Sequence, residues 1–69
     1  MDITPGTKVI VTTVFGQRLE RRATTGIEPG DKFEIVRVCS EDEWKAAVGE
    51  HRSPIATAWP AEDVEVVPT

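Results

Sequence analysis

The sequence predicts a mostly β domain with five short strands, one short inserted helix and a single turn of 3₁₀ helix ahead of the last strand. Three observations support this fold class. Runs of β-branched residues are bounded by turns that contain proline and glycine. One segment begins with a helix cap at Ser40, and Trp59-Pro60 precedes a short valine-rich end. A chain of 69 residues has room for one domain, which we expect to span residues 1–69.

The first two strands are predicted as a hairpin. Pro5-Gly6 marks a turn, and the run from Thr7 to Phe15 is rich in β-branched residues, which favour strands. Gly16-Gln17 then predicts a reversal, and Arg18 to Thr25 a returning strand. The segment from Glu28 to Asp31 has the proline and glycine of a type II turn and is predicted to be a loop.

The third strand is predicted from Lys32 to Cys39, and its apolar residues change face midway. Phe33 and Ile35 would lie on one side of the strand, and Val36 and Val38 on the other, because successive side chains alternate. This change predicts a bend or bulge between the two pairs, as occurs in small barrels.

A short helix is predicted from about Glu41 to about Val48. Ser40 and Glu43 have the spacing of a capping box, in which the serine caps the first turn and the glutamate bonds back to it. Gly49 stands where a glycine commonly ends a helix. An apolar stripe at helical spacing consists of Trp44, Ala47 and Val48.

The C-terminal part is predicted to complete the sheet. Ile55 to Trp59 alternates as a strand, and Pro60 is expected to end it. Pro60 to Asp63 suits one turn of 3₁₀ helix, and Val64 to Val67 makes a final strand.

The segment from Trp59 to Val67 resembles the closing segment of SH3 domains, in which a proline, two variable residues, usually a tyrosine, and a valine precede the last strand. Pro5 to Val11 is similar to the opening strand of KOW-type and related bacterial SH3-like domains. The resemblance implies a small five-stranded SH3-like barrel. Asp63 departs from the family because it stands where the groove tyrosine would be, so only Trp59 and Pro60 carry over. Recognition of proline-rich peptides, which needs aromatic walls, is therefore not expected.

The composition excludes several kinds of site. Cys39 is the only cysteine and His51 the only histidine, so neither an internal disulfide nor a closed Cys/His zinc site can form, and we expect no metal and no cofactor. A lone cysteine fits a reducing cytoplasm. The longest apolar run, Val9 to Val11, is far shorter than a membrane span. We therefore expect a cytoplasmic protein that does not contact membranes.

We expect no enzymatic activity. His51 lies in a polar loop, where a solvated histidine is the simpler interpretation, and Cys39 lies in an apolar strand, where a cysteine usually packs as a small apolar residue. A nucleophile needs a base within hydrogen-bond reach, and the spacing of these two residues does not indicate one. Gly26 and Gly30 lie in turns that lack the lysine of a phosphate-binding loop.

Two acidic groups are candidate binding residues: Glu41, Asp42 and Glu43 at the helix start, and Glu62, Asp63 and Glu65 around the final turn. The simpler interpretation is helix capping for the first group and a solvated edge for the second. The alternative is that they converge into an acidic face for a protein with a basic surface. Such a face could imitate nucleic-acid phosphates, as in some small SH3-like antirepressors.

Arg18, Arg21 and Arg22 form the one basic cluster. On a strand, Arg18 and Arg22 would share a face with Glu20, while Arg21 falls opposite. The cluster is either a solvated hairpin or a phosphate-binding surface. The net charge of −4 argues against non-specific nucleic-acid binding, which depends on neutralising phosphates, so we consider a nucleic-acid partner unlikely.

Trp44 and Trp59 are the only tryptophans. A thin domain needs large apolar groups, which favours a core position for both. Tryptophan is also a frequent interface anchor, so either ring is a candidate binding residue.

The leading functional hypothesis is a non-enzymatic accessory or regulatory module, encoded by a phage or another mobile element, that binds an unidentified protein through an acidic and aromatic face. The alternative is a KOW-like module associated with nucleic acid, or a DNA-mimic antirepressor. KOW domains bind RNA or transcription proteins through basic and aromatic loops, which the acidic balance here does not favour. The third hypothesis is a structural subunit that forms homo-oligomers through its sheet edges.

Overall fold

The computed structural model describes residues 3–67, which fold into six strands, one α-helix and one 3₁₀ turn. In chain order these elements are β1 (Lys8–Thr12), β2 (Arg18–Ala23), β3 (Glu28–Pro29), β4 (Glu34–Cys39), α1 (Glu41–Glu50), β5 (Thr57–Pro60), the 3₁₀ turn (Ala61–Asp63) and β6 (Val64–Val66). The predicted mostly β class and the order of its elements are confirmed.

The strands form one curled antiparallel sheet that closes about half of a barrel. β1 lies between β2 and β6, so the last strand returns beside the first. β4 pairs with β2 and β3, and it also pairs with β5. Two strands therefore do not pair with the strand that precedes them in sequence: β3 pairs with β4 and not with β2, and β6 pairs with β1 and not with β5.

The structure has one strand more than predicted. The additional strand, β3, occupies the segment predicted to be a loop. β2 ends at Ala23, and the chain then turns before β3 pairs with the start of β4. The interruption is itself hydrogen-bonded to β4, because Thr24 N–H donates to the Arg37 carbonyl at 2.7 Å and Arg37 N–H donates to Thr25 Oγ1 at 3.3 Å. The Thr25 hydroxyl thus replaces a backbone acceptor and keeps this part of the sheet in register.

The bounds of β4 and β5 differ from the prediction at their apolar residues. β4 begins at Glu34, so Phe33 lies in the bend before it and is 55% exposed. Ile55 was predicted to open a strand, but β5 begins at Thr57 and continues through Pro60, which pairs with Ile35. Proline is tolerated there because it lies at the end of an edge strand.

A small apolar core fills the concave side of the sheet. Its buried members are Ile3, Val9, Val11, Ala23, Val36 and Val38. Leu19, Trp59, Ala61, Val64 and Val66 pack against them and are half-buried. The largest fully buried side chains are valines, so burial of apolar surface stabilises this domain only modestly.

Helix α1 begins as predicted and ends two residues later. Glu43 N–H donates to Ser40 Oγ at 3.1 Å, which confirms the cap. Glu43 does not complete the capping box, because its carboxylate binds Arg52 instead. The predicted end at Gly49 was also wrong: His51 takes the left-handed conformation, with φ of 54°, and its N–H bonds the carbonyls of the last turn.

Arg22, Glu41, Gly6 and Trp44 form one junction, here called the Arg22 junction, between the first turn, β2 and α1. The Arg22 guanidinium donates from Nε and Nη2 to the two Glu41 oxygens, at 2.6 and 3.0 Å, and from Nη1 to the Gly6 carbonyl at 2.8 Å. Gly6 has φ of +93°, and a Cβ there would lie 3.1 Å from the Trp44 ring. The turn therefore requires glycine both for its backbone and for its contact with the indole.

We expect Gly6→Ala and Gly49→Ala to change stability in opposite directions. Gly6→Ala should lower the free energy of unfolding by about 1–2 kcal/mol, because alanine is strained at positive φ. Gly49 lies in α1 with open space where a Cβ would be, so Gly49→Ala should raise the free energy of unfolding by about 0.5–1 kcal/mol. Urea denaturation followed by circular dichroism would measure both, and equal effects would contradict this account of the Gly6 turn.

Candidate functional site

The convex face of β1, β2 and β6 is covered by ion pairs. The register sets Arg18, Glu20 and Arg22 on one face of β2, as predicted. Each of the three forms an ion pair with a residue of opposite charge. The pairs are Lys8–Glu20, Arg18–Glu65 and Arg22–Glu41. The hydrogen bonds that Arg22 donates to the Glu41 carboxylate raise the pKa of Arg22 further above its ordinary value. This face is therefore close to neutral.

Arg21 lies on the opposite face of β2, across from Val9. Its Nη1 donates to the Glu20 carbonyl at 2.8 Å, and within residues 3–67 no carboxylate lies within ion-pair distance of it. The three arginines thus do not form a single basic surface. Two of them already hold carboxylates, which leaves little free positive charge for phosphates.

The acidic group at the helix start is mostly occupied by contacts within the fold. Glu41 belongs to the Arg22 junction, and hydrogen bonding to Arg22 lowers its pKa. Glu43 accepts from Arg52 Nη1 and Nη2 at 2.6 and 3.2 Å and from Ile55 N–H at 2.8 Å. These bonds lower the pKa of Glu43 to about 2.

The acidic group around the final turn is only partly engaged in contacts within the fold. Glu65 pairs with Arg18 across the sheet, whereas Glu62 and Asp63 lie on the 3₁₀ turn and form no ion pair within residues 3–67. Three of the six carboxylates predicted to bind a partner are therefore engaged in the fold, namely Glu41, Glu43 and Glu65. The predicted single acidic face, if all six residues formed it, would have half of its charge neutralised.

Carboxylates without an ion pair concentrate beside one segment of the chain. Within residues 3–67 they are Asp31, Glu34, Asp42, Glu62 and Asp63. All except Asp42 line a groove beside Ala58–Asp63, here called the closing segment. The sequence-based prediction missed Asp31 and Glu34, because only pairing of β4 with β5 brings them near this segment.

Three shallow grooves meet along the closing segment. The apolar groove is lined by Thr12, Thr13, Val14, Phe15, Gln17, Thr57, Ala58, Trp59, Pro60 and Asp63. The loop groove lies on the other side of Trp59-Pro60 and is lined by residues 29–33 with Ile35, Arg37 and Ala58. The glutamate groove is lined by Phe33, Glu34, Ala61 and Glu62. Together they make one surface, here called the closing face.

Trp59 serves both the core and the closing face. Its ring packs against the buried cluster, and its Nε1–H donates to the Thr12 carbonyl at 3.2 Å. The remaining ring surface forms a wall shared by the apolar and loop grooves. Trp44 is also half-buried, but it packs against Gly6 at the Arg22 junction and does not line the closing face.

Large apolar side chains are exposed around the closing face. Val14 is 96% exposed, Phe15 is 89% exposed, and both line the apolar groove. Phe33 lines the loop and glutamate grooves. The sequence-based prediction did not single out these three residues. A signal was present, since two large apolar residues directly precede the turn glycine Gly16, where polar residues are usual.

Cys39 and His51 are the residues considered for catalysis. Cys39 is buried, and this burial raises the pKa of its thiol, which disfavours the reactive thiolate. His51 is exposed at the end of α1.

Over residues 3–67 no group of three or more His, Cys, Asp and Glu side chains is placed to hold a metal ion. No helix in the described part of the chain has the length and apolar character to cross a membrane.

We predict that Glu43 stabilises the fold only where it is ionised. Its pKa falls from an ordinary 4.5 to about 2, so its contribution is complete above about pH 5 and is lost as the pH falls toward 2. The melting temperature of Glu43→Gln should be below that of the wild type at neutral pH, and the two should converge near pH 2. Thermal melts across this range would measure the gap.

Asp42→Asn is the control, because Asp42 neighbours Glu43 but forms no ion pair within the described residues. At neutral pH its melting temperature should lie much closer to that of the wild type than the melting temperature of Glu43→Gln does. A gap for Glu43→Gln that stays constant between neutral pH and pH 2 would contradict the assignment.

Comparisons of the chain with protein-family models, with curated proteins and with solved structures give no significant match. A function therefore has to be inferred from the closing face and its chemistry.

Proposed function

We propose that the protein is a non-enzymatic binding module whose closing face holds an extended, basic segment of a partner protein. The proposal rests on one observation: carboxylates and aromatic rings that the fold does not fully use lie together at one surface. Four carboxylates that form no ion pair within residues 3–67 and three exposed or half-exposed aromatic rings border these grooves. The aromatic residues are Phe15, Phe33 and Trp59.

The chemistry of the glutamate groove suits a lysine or arginine side chain. Glu34 and Glu62 supply two carboxylates, and Phe33 with Ala61 supplies apolar surface between them. A lysine or arginine buries its aliphatic stem on such a surface while its charged end stays near the carboxylates. The Phe33 ring adds attraction for a cation that lies over its face.

The shape of the closing face suits a chain in extended conformation. Its grooves are shallow: the apolar and loop grooves flank Trp59-Pro60, and the glutamate groove lies beside Ala61 and Glu62. An extended segment that crosses Trp59-Pro60 presents side chains at regular intervals to these grooves. The net charge of −4 also favours encounter with a basic partner.

A nucleic-acid partner is less well supported than a basic protein. The carboxylates of the closing face would repel phosphates, and Arg18 and Arg22 are engaged in ion pairs. Imitation of nucleic acid by all six predicted carboxylates is also less well supported, since Glu41, Glu43 and Glu65 hold arginines.

We further propose that the domain is an SH3-like barrel working in the cytoplasm. The return of β6 beside β1, directly after a 3₁₀ turn, supports the first part of this proposal. The buried thiol of Cys39 is compatible with a reducing compartment. The face proposed for binding is built around Trp59 and Pro60, with Asp63 in place of the tyrosine that the family resemblance would lead one to expect.

A random library of short linear peptides, selected on the intact protein, tests the proposed function. Selected peptides should be enriched in lysine and arginine, and their affinity should fall with added salt. A variant with Glu34→Gln, Glu62→Gln and Asp63→Asn should bind them roughly tenfold more weakly, because three exposed charge contacts are lost. Isothermal titration calorimetry would measure the affinities.

A second triple variant provides a matched control. Glu20→Gln, Asp42→Asn and Glu50→Gln remove the same total charge at exposed positions that do not line the closing face. Its affinity should remain within a few-fold of the wild type. Equal weakening by both triple variants would mean that net charge alone attracts the peptides, and a library without basic enrichment would refute the proposal.

A further inference from the structure

We infer that the bound segment also carries a bulky apolar side chain, and that this side chain enters the apolar groove between Phe15 and Trp59. The inference rests on the proposed function and adds a second requirement to the partner. The basic residues alone would then be insufficient for full affinity. The partner is a segment in which cations and one large apolar residue lie close together.

The hairpin tip between β1 and β2, whose backbone is held by hydrogen bonds, forms one wall of the apolar groove. Thr13 N–H donates to the Gln17 carbonyl at 2.8 Å, and Gly16 N–H donates to the Thr13 carbonyl at 2.9 Å. Thr13 Oγ1 accepts from Gln17 N–H at 3.1 Å and from Phe15 N–H at 3.3 Å. Gly16 has φ of +81°, which this turn needs. The backbone of the tip is therefore already ordered before any partner binds.

The opposite wall is fixed as well. The Trp59 ring is held by its hydrogen bond to the Thr12 carbonyl and by its packing on the core. Pro60 follows with a restricted backbone. Because the Trp59 ring and the backbone of the hairpin tip are held in advance, an apolar side chain that enters between them orders little of the protein beyond the Phe15 side chain, and less entropy is lost on binding.

The exposure of the hairpin tip is not required by the fold. Val14 and Phe15 are almost fully exposed, and neither belongs to the buried cluster or packs against it. Polar residues at such a tip would fold equally well and would avoid exposing apolar surface to water. The two side chains therefore have no structural role among the described residues, and burial against a partner would stabilise the complex.

Charge separates the apolar groove from the glutamate groove. Among the described residues Asp63 is the only charged one that lines the apolar groove, whereas the glutamate groove has two carboxylates among its four lining residues. A cation therefore gains more beside Glu34 and Glu62, and a large apolar side chain gains more beside Phe15. This complementarity assigns the two kinds of partner side chain to different grooves.

The same random peptide library, selected in parallel on the wild type and on Phe15→Ser, tests the inference. Wild-type selection should yield basic peptides with a bulky apolar residue at a constant spacing from the cations. Phe15→Ser should still select basic peptides but without that apolar residue. Ile55→Ser is the matched control, because Ile55 is 78% exposed but lines none of the three grooves.

Affinities of the best wild-type peptide give a quantitative check. Phe15→Ser should weaken its binding about tenfold to a hundredfold, as expected for loss of one buried aromatic contact. Replacing the bulky apolar residue of the peptide by alanine should weaken binding to the wild type similarly, and binding to Phe15→Ser hardly further. Circular dichroism of Phe15→Ser should match the wild type, because the side chain is exposed.

Each outcome separates the inference from the proposed function. Basic peptides whose apolar residue is retained on Phe15→Ser, with unchanged affinity, would overturn the inference and leave the proposed function standing. Independent, additive losses from the protein and peptide substitutions would also overturn it. Failure to select basic peptides on the wild type would instead overturn the proposed function.

Discussion

The position of α1 and of the N-terminal turn depends on the guanidinium of Arg22. One side chain bonds both oxygens of Glu41 and the carbonyl of Gly6, so three separate parts of the chain meet at a planar group with fixed donor directions. The apolar core, whose largest fully buried residues are valines, is too small to specify all of these positions. Polar contacts at the Arg22 junction therefore orient the helix on the sheet.

The charges of the described residues form two sets. Arginines at the Arg22 junction, on the convex sheet face and beside α1 each hold a carboxylate, and those carboxylates are unavailable to a partner. The remaining carboxylates gather mainly at the closing face, where the exposed aromatic residues also lie. The fold and the proposed binding surface thus use different residues, so changes at the closing face should affect binding more than stability.

Much of the fold could be predicted from local signals in the sequence. The features that depend on long-range contacts could not be predicted in this way. The Ser40 cap, the hairpin and the 3₁₀ turn depend on residues close together in the chain, and they are present. The end of α1 was wrong because His51 adopts a left-handed conformation that glycine usually takes. The closing face could not be predicted as a whole, because Thr12 and Trp59 meet only through the curvature of the sheet. The sequence did indicate parts of it: Trp59, Glu62 and Asp63 were candidate binding residues, and Val14-Phe15 before Gly16 was a further local signal.

Chemical-shift mapping by NMR tests the central claim most directly, namely that the closing face is the binding surface and the ion-paired faces are structural. The ¹⁵N-labelled protein would be titrated with a basic peptide selected on the wild type. We predict that the largest shifts fall on the Trp59 indole N–H, the hairpin tip at residues 13–17, and residues 29–34 and 58–63. Shifts concentrated on α1 or on the convex faces of β1 and β2, with the Trp59 indole unchanged, would contradict the account.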